Sequence, residues 1–521
     1  MTHSTRRPPK KTFGGAAQAS ADAPSPAVDL DPNDWETFRA DSHRALDGMI
    51  DFLASIRERP VWREPTPEAR ERFRRPLPEK GRDLAGALQD FEQFIKPYAN
   101  GNIHPLFMGW VQGAGTPVGM VAEMLAAGLN SNCGGRNHIA IDVERQIAAW
   151  MAQAFGFPAD ATGIFVTGTS MANFLSLLVA REHALGARNV RKNGLKAIDG
   201  QLVAYTSREA HNCVRQAMEL AGLGARHLRL IGSDERHAMR VDELARAIVE
   251  DRAAGLHPFL VVGTAGSVDT GAIDDLDALA DIAEREDLWF HIDGAFGALA
   301  VLSPKLRPLV KGLERADSIA FDFHKWLHVP YDAGFFLVRD PDVHRRAFAA
   351  NAAYLTRAPR GLAAGETWPC DLGPDLSRGF RALKTWFAIE VFGTERLGAC
   401  IEQTCRLAAR LQRHIETSGT FEMRAPVTLN IVCFGVKDDP TGQLNREIVM
   451  ELHESGEAAP SLTLLDGVPT IRCAIINHRT REEDIDRFVE IAERVARRAR
   501  QEPPLEPLAA TSEDGAPLSQ D

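Results

Sequence analysis

Between residues 115 and 340 the sequence switches back and forth between two periods, and little else about it constrains the fold so tightly. Short apolar runs with the two-residue repeat of a strand alternate with longer stretches carrying the 3.6-residue repeat of a helix. The runs are GIFVTG (163–168), QLVAYTS (201–207), FLVVGTAGS (259–267), LWFHID (288–293), SIAFDFH (318–324) and GFFLVR (334–339). Amphipathic stretches such as DDLDALADIAERE lie between most of them. Strands this apolar must be covered on both faces, so the pattern predicts an α/β domain with a largely parallel sheet wrapped in helices. The last two runs stand too close for a crossover, so 334–339 is expected to run antiparallel to its neighbour.

A chain of 521 residues exceeds one ordinary core. The expected organisation is a flexible tail over 1–30, a helical arm over 31–110, the sheet-bearing large domain over 111–380, a small α+β domain over 381–500 and a second tail over 501–521. In the arm, 34–58 places Phe38, Ala45, Met49, Phe52, Leu53 and Ile56 on one helical face. So small an arm cannot bury that stripe alone, and needs the main body or a second subunit. Strands near 428–435 and 469–476 and a last helix over 482–500 mark the small domain.

A net charge of −11 argues against nucleic acid as the main partner. The seven cysteines form no C-x-x-C pair, which fits reduced thiols better than a disulfide framework or a metal site. The opening MTHSTRRPPKKTFGG lacks the apolar core of a signal peptide, and no apolar run reaches the length of a membrane span. A cytoplasmic protein without a membrane partner is expected.

In an open α/β sheet, ligands bind beyond the carboxyl ends of the strands. There the sequence places Thr169 and Ser170 opening a helix, His211, Thr264, Asp293 with Ala295 behind it, and His324-Lys325. Each has a bland alternative. A strand-end aspartate is more often a cap, and a strand-end lysine more often snorkels to water. Taken together they fit pyridoxal phosphate, which needs a lysine for its aldehyde, an anion site, an acid for its ring nitrogen and a flat partner over the ring. Lys325, the helix start at Thr169 and Ser170, Asp293 and His211 meet those needs in turn.

These segments resemble the group II pyridoxal-phosphate-dependent amino-acid decarboxylases, the aromatic-L-amino-acid, histidine and glutamate decarboxylase family. The likeness runs from about residue 35 to 498. It is carried by NIHPLFMGW (102–110), TGTSMANFLSLLVAR, SREAHNCVRQA, TAGSVDTGAIDDL, LWFHIDGAFGA, ADSIAFDFHKWLHVPYDAG, LNIVCF and INHRT. The resemblance implies fold type I, like aspartate aminotransferase: a mostly parallel seven-stranded sheet, a small C-terminal domain, an N-terminal helical arm and a homodimer. It implies a lyase that turns an L-amino acid into an amine and carbon dioxide. Lys325 becomes the Schiff-base lysine, Asp293 the partner of the ring nitrogen and His211 the stacking imidazole. Thr169, Ser170, Thr264, Ala295 and His324 complete the cofactor site.

The family's proton donor is a lid tyrosine, which the resemblance places at Tyr354, in a stretch (354–376) rich in Pro, Gly and Ala. An ordinary half-buried tyrosine is the alternative. Relatives that form aldehydes have lost this residue, so its presence favours decarboxylation over oxidative deamination. For the substrate, Trp110 and Phe107 offer an apolar wall. Arg136, in NSNCGGRNHIAIDVE, could instead pair an acidic side chain or stand as a solvated loop charge. An aromatic substrate leads, with an acidic or small amino acid as the alternative. An aminotransferase or carbon–carbon lyase on the same fold would need a further arginine, for which Arg378 and Arg472 are candidates. A non-catalytic relative is the reading these residues oppose.

Overall fold

The apolar runs become one sheet in the computed structural model, which describes residues 29–195, 200–350, 355–365 and 367–501. Its strands are β1 (Thr162–Val166), β2 (Leu202–Ser207), β3 (Leu228–Ile231), β4 (His257–Thr264), β5 (Trp289–Asp293), β6 (Ser318–Asp322) and β7 (Gly334–Val338). They lie in the order β1-β7-β6-β5-β4-β2-β3. As the short connection required, β7 is antiparallel to β6, and it is antiparallel to β1 as well. The remaining pairs are parallel. The residues expected to form tails fall mostly outside the described ones, as does Tyr354.

The period of two sorts the strand residues between two cores. Phe165, Val261, Phe290, Ile292, Phe321 and Phe335 face one way, onto the helices Ile139–Phe155 and Leu276–Arg285. Ile164, Val166, Val262, Ala320 and Phe336 face the other way, onto the helix Thr169–Leu185. Burying one such side chain stabilises the fold by about 1.5–3 kcal/mol, so a one-residue slip of register would be costly on both faces. β3 is the one strand of this sheet missing from the expectation. It is a four-residue edge strand with Leu230 exposed, and it shows neither alternation nor a continuous apolar run.

A second sheet of four antiparallel strands, in the order β10-β11-β9-β8, is built from β8 (Phe421–Met423), β9 (Ile431–Val436), β10 (Ser461–Leu465) and β11 (Val468–Ala474). Its core takes Leu407 and Leu411, from the helical stretch Arg381–Thr417, and Phe488 from the last helix, Glu482–Ala499. That long stretch breaks at Gly393, whose φ of 68° suits glycine.

The first helix, Trp35–Ala54, starts at Asp34, whose carboxylate accepts from the backbone of Glu36 and Thr37. Phe52 and Ile56 are buried, while Trp35, Phe38 and Ile50 stay exposed. Further on, Leu106, Phe107 and Met108 join the core of the second sheet, with Met108 N donating to Ala459 O (2.9 Å). Among the described residues no helix is long and apolar enough to cross a membrane.

Candidate active site

The carboxyl ends of β1, β2, β4, β5 and β6 open into one cavity of about 390 Å³. That volume lies within the usual range for small-molecule sites, about 300–1,000 Å³. After β1 the chain turns at Gly168 and begins the helix at Thr169. Close packing explains the glycines here, because a side chain on Gly334 of β7 would collide with the backbone of Gly168. The loop after β2 brings His211 to the cavity, where Nδ1 accepts from Cys213 N (3.2 Å) and orients the ring. β4 and β5 end side by side, with Thr264 opposite Asp293.

Lys325 lies in the single helical turn Phe323–Trp326 that directly follows β6. A lysine at a strand end needs a counter-charge or water. The structure supplies one: Nζ is 2.9 Å from Asp322 Oδ2. The other oxygen, Asp322 Oδ1, accepts from Thr169 N at the helix start (2.8 Å). Asp322 therefore joins the lysine to the expected anion site. It escaped notice because it reads as one more position of an alternating strand, although its i−3 spacing from Lys325 was a usable signal. His324 packs against Tyr331 (ring centroids 4.3 Å apart), and its Nδ1 accepts from Ala333 N. Burial holds the His324 imidazole below its ordinary pKa.

Asp293 is buried, and burial raises its carboxyl above the usual range. Asn173 Nδ2 (2.9 Å to Oδ2), the charges of Lys325 and His211, and Ala295 N (3.2 Å to Oδ1) act against that rise. Asp274 fixes the neighbouring strand end by accepting from Thr264 N (2.8 Å) and Met239 N (2.7 Å), and burial pushes its own carboxyl up to about 6.

Pyridoxal phosphate fits what these residues leave unsatisfied. Thr169 Oγ1 and Thr264 Oγ1 are buried polar atoms without a hydrogen-bond partner, and both residues line the cavity. A buried hydroxyl left unpaired costs about 1–3 kcal/mol, which a ligand oxygen can relieve. The same cavity holds a lysine, a carboxylate at its floor and an imidazole at its wall.

The sequence from 67 to 437 matches the family described as the pyridoxal-dependent decarboxylase conserved domain. The chain belongs to the pyridoxal-dependent decarboxylases. It is 32% identical to an aromatic-L-amino-acid decarboxylase of Bacillus atrophaeus, across 86% of this chain and 93% of that protein. It is 29% identical to a phenylacetaldehyde synthase of Arabidopsis thaliana, across 88% and 95%. In fold it is similar to the Oryza sativa structure described as TDC with PLP and tryptamine (TM-score 0.83, 23% identity, 90% of this chain and 99% of that one). This pyridoxal-dependent decarboxylase is thus an amino-acid carboxy-lyase whose cofactor is pyridoxal 5′-phosphate.

The decarboxylase brings all the expected cofactor residues together: Lys325, Asp293, His211, Thr169, Ser170, Thr264, Ala295 and His324 line one cavity. Trp110 lines it too, with a left-handed backbone (φ 51°) and its N–H given to Ser461 Oγ (3.2 Å). Phe107 and Arg136 do not reach it. Phe107 faces an adjoining hollow shared with Trp62, Trp110 and Met450. Arg136 stacks on Trp368, its guanidinium carbon 4.6 Å from the ring centroid. The two spare arginines are engaged elsewhere. Arg378 pairs with Glu144 and donates to the carbonyls of Cys133 and Phe165. Arg472 donates to the carbonyls of Val268 and Asp269 and to Ser461 Oγ.

Proposed function

We propose that the amino acid decarboxylated is an aromatic L-amino acid and that the enzyme works as a homodimer. The observation that carries the substrate reading is the cavity wall around Lys325. It offers Trp110, Val111, Phe296 and Tyr331, and among the described residues no arginine lines it. An acidic side chain buried there would lack the bidentate cation that such recognition uses. Relatives named for aromatic L-amino acids, from Bacillus atrophaeus and Drosophila simulans, are 32% and 30% identical to this chain.

In this reading Lys325 Nζ would bind the aldehyde carbon of pyridoxal phosphate, and Asp293 would accept from its ring nitrogen. Thr169 Oγ1 and Ser170, at the start of the helix, would hold the phosphate. His211, oriented by its bond from Cys213 N, would cover one ring face. When bound, the cofactor supplies an electron sink for the bond that breaks as carbon dioxide leaves. The chain's own task is to keep the charges around that sink in place. Asp293, ionised in a dry site, stabilises positive charge at the ring nitrogen far more strongly than water could. Asp322 holds the Lys325 ammonium ready as a fixed counter-ion. Tyr354, outside the described residues, is assigned the proton that takes the place of the carboxylate at the substrate's Cα.

The test is a product screen. The purified enzyme with pyridoxal phosphate is offered the common L-amino acids singly, and amine and carbon dioxide are measured together. Equal amounts of both, from aromatic substrates first, are expected. Preferred turnover of glutamate or aspartate would overturn the substrate reading, and aldehyde in place of amine would overturn the role of Tyr354.

A further inference from the structure

We propose that Trp289, Ser318, His291 and Asn173 form a one-way hydrogen-bond chain whose last member presents an N–H to Asp293, so that these four are positioning residues for an ionised carboxylate. This rests on the reading of Asp293 as partner of the cofactor's ring nitrogen. The chain follows from strand periodicity. Trp289, His291 and Asp293 alternate along β5 and so share one face of it, and Ser318 of β6 pairs with His291 in the register.

The direction of the chain follows from its carboxylate end, since an ionised Asp293 only accepts and so takes the Asn173 NH₂, and the far end agrees with it. An indole N–H only donates, and Trp289 Nε1 gives its hydrogen to Ser318 Oγ at 2.8 Å. Ser318 Oγ has a second lone pair and can also accept, but with the Asn173 oxygen turned to His291 the ring proton sits on Nε2, and Ser318 gives its hydrogen to the bare Nδ1 (2.9 Å). His291 Nε2 therefore carries the proton and donates to Asn173 Oδ1 (2.8 Å). With its oxygen used, the amide can only turn its NH₂ toward Asp293 Oδ2 (2.9 Å) and Cys213 Sγ (3.1 Å). The opposite amide orientation would set a carbonyl oxygen against the carboxylate. All five residues are at most 3% exposed, so water does not replace a lost link easily. Burial takes His291 down to about 3, so it stays neutral and the chain keeps its direction across ordinary pH. The other groups bearing on Asp293 are the charges of Lys325 and His211, with the Cys213 thiol, pushed up to about 12 by burial, protonated beside it.

The first test is the ¹⁵N spectrum of wild-type enzyme labelled at histidine. His291, assigned by difference from His291→Gln, is expected neutral with its proton on Nε2; a proton on Nδ1, or a cation near neutral pH, overturns the proposal. The second test measures pyridoxal phosphate uptake by the full-length apoenzyme in equilibrium dialysis. Asn173→Ala is expected to bind about tenfold more weakly at pH 6, the equivalent of one pKa unit, and Ser318→Ala to show a smaller loss. The deficit should shrink as pH rises to 8.5, because Asp293 then ionises without the donor. Thr206→Val, equally buried on β2 but off the chain, should bind like wild type. A deficit that does not change with pH marks a merely structural role and sinks the proposal, as does undiminished binding by Asn173→Ala. Should a variant fail to fold, the wild-type tautomer decides alone. Failure of the wild-type apoenzyme to take up pyridoxal phosphate would instead refute the reading of the site itself.

Discussion

Lys325 and Asp293 solve opposite electrostatic problems within one cavity. The lysine keeps a fixed counter-ion, Asp322, at 2.9 Å, whereas the aspartate is sunk where burial favours its neutral form. A carboxylate kept ionised in such a place is costly, and amide donors and neighbouring cations must offset that cost. Asp293→Asn preserves size while removing the charge. Its kcat is expected to fall by about 10²–10³, the loss typical of deleting one pre-organised electrostatic contact, with the circular dichroism spectrum unchanged. Retention of kcat would remove Asp293 from its assigned role. Lys325→Arg keeps the charge and its reach to Asp322 but cannot attack an aldehyde. Borohydride treatment followed by peptide mass analysis should then find pyridoxyl label at 325 in the wild type and none in the variant. Most of this site was legible in the sequence because strand ends converge by topology, so Thr169, His211, Thr264, Asp293 and Lys325 could be grouped without coordinates. What escaped were the residues that act through others. Asn173 reads as one more helix residue, His291 as one more strand residue, and Arg136 looked available only because its stacking partner, Trp368, lies 232 positions later.

Elements were legible in proportion to how completely they are buried. The central strands, covered on both faces, announce themselves as apolar runs, and the one antiparallel strand of the large sheet followed from a connection too short to cross over. β3, β8 and β10 are short edge strands whose side chains are partly exposed, so their composition resembles that of loops. The helix Pro341–Phe348 shows a further device invisible to periodicity. His344, fully buried, accepts from Thr162 Oγ1 through Nδ1 (2.8 Å) and donates from Nε2 to Leu372 O (2.8 Å). It ties the edge strand β1 to Leu372, within the stretch 354–376. His344→Leu leaves both partners unpaired and should cost about 1–3 kcal/mol in urea unfolding at pH 7. Burial takes the His344 imidazole down to about 3. The folded state thus refuses a proton that the unfolded chain accepts near pH 6.5, so this contribution is whole above that value and fades as pH falls toward 3. Between pH 6 and 4 the wild type should lose about 1.4 kcal/mol per pH unit through this group, and the variant's profile should be shallower by that amount. Parallel profiles for the two proteins would show that His344 is not the group responsible.

At the scale of the whole molecule, the feature left unbalanced is apolar surface on two helices. Pro117–Leu129 buries Gly119 and Ala122 while exposing Val121, Met124, Leu125 and Leu129, a stripe spaced at three, four and eight residues. Trp35, Phe38 and Ile50 stand exposed on the first helix. Scattered apolar residues need no explanation, but a continuous helical stripe is an ordinary sign of association. A stable symmetric interface hides about 800 Å² per partner, and a self-complementary patch of this kind suits a two-fold pair. A carboxylate placed in the middle of such a patch would be desolvated twice in a symmetric dimer, once in each copy, without a cation to meet it. Leu125→Glu, at an exposed position that does not line the cavity, is therefore expected to fold normally yet sediment at the mass of one chain, while the wild type sediments at twice that mass. A wild type that sediments as a single chain, or a variant that stays paired, would mean that this stripe faces water rather than a second copy.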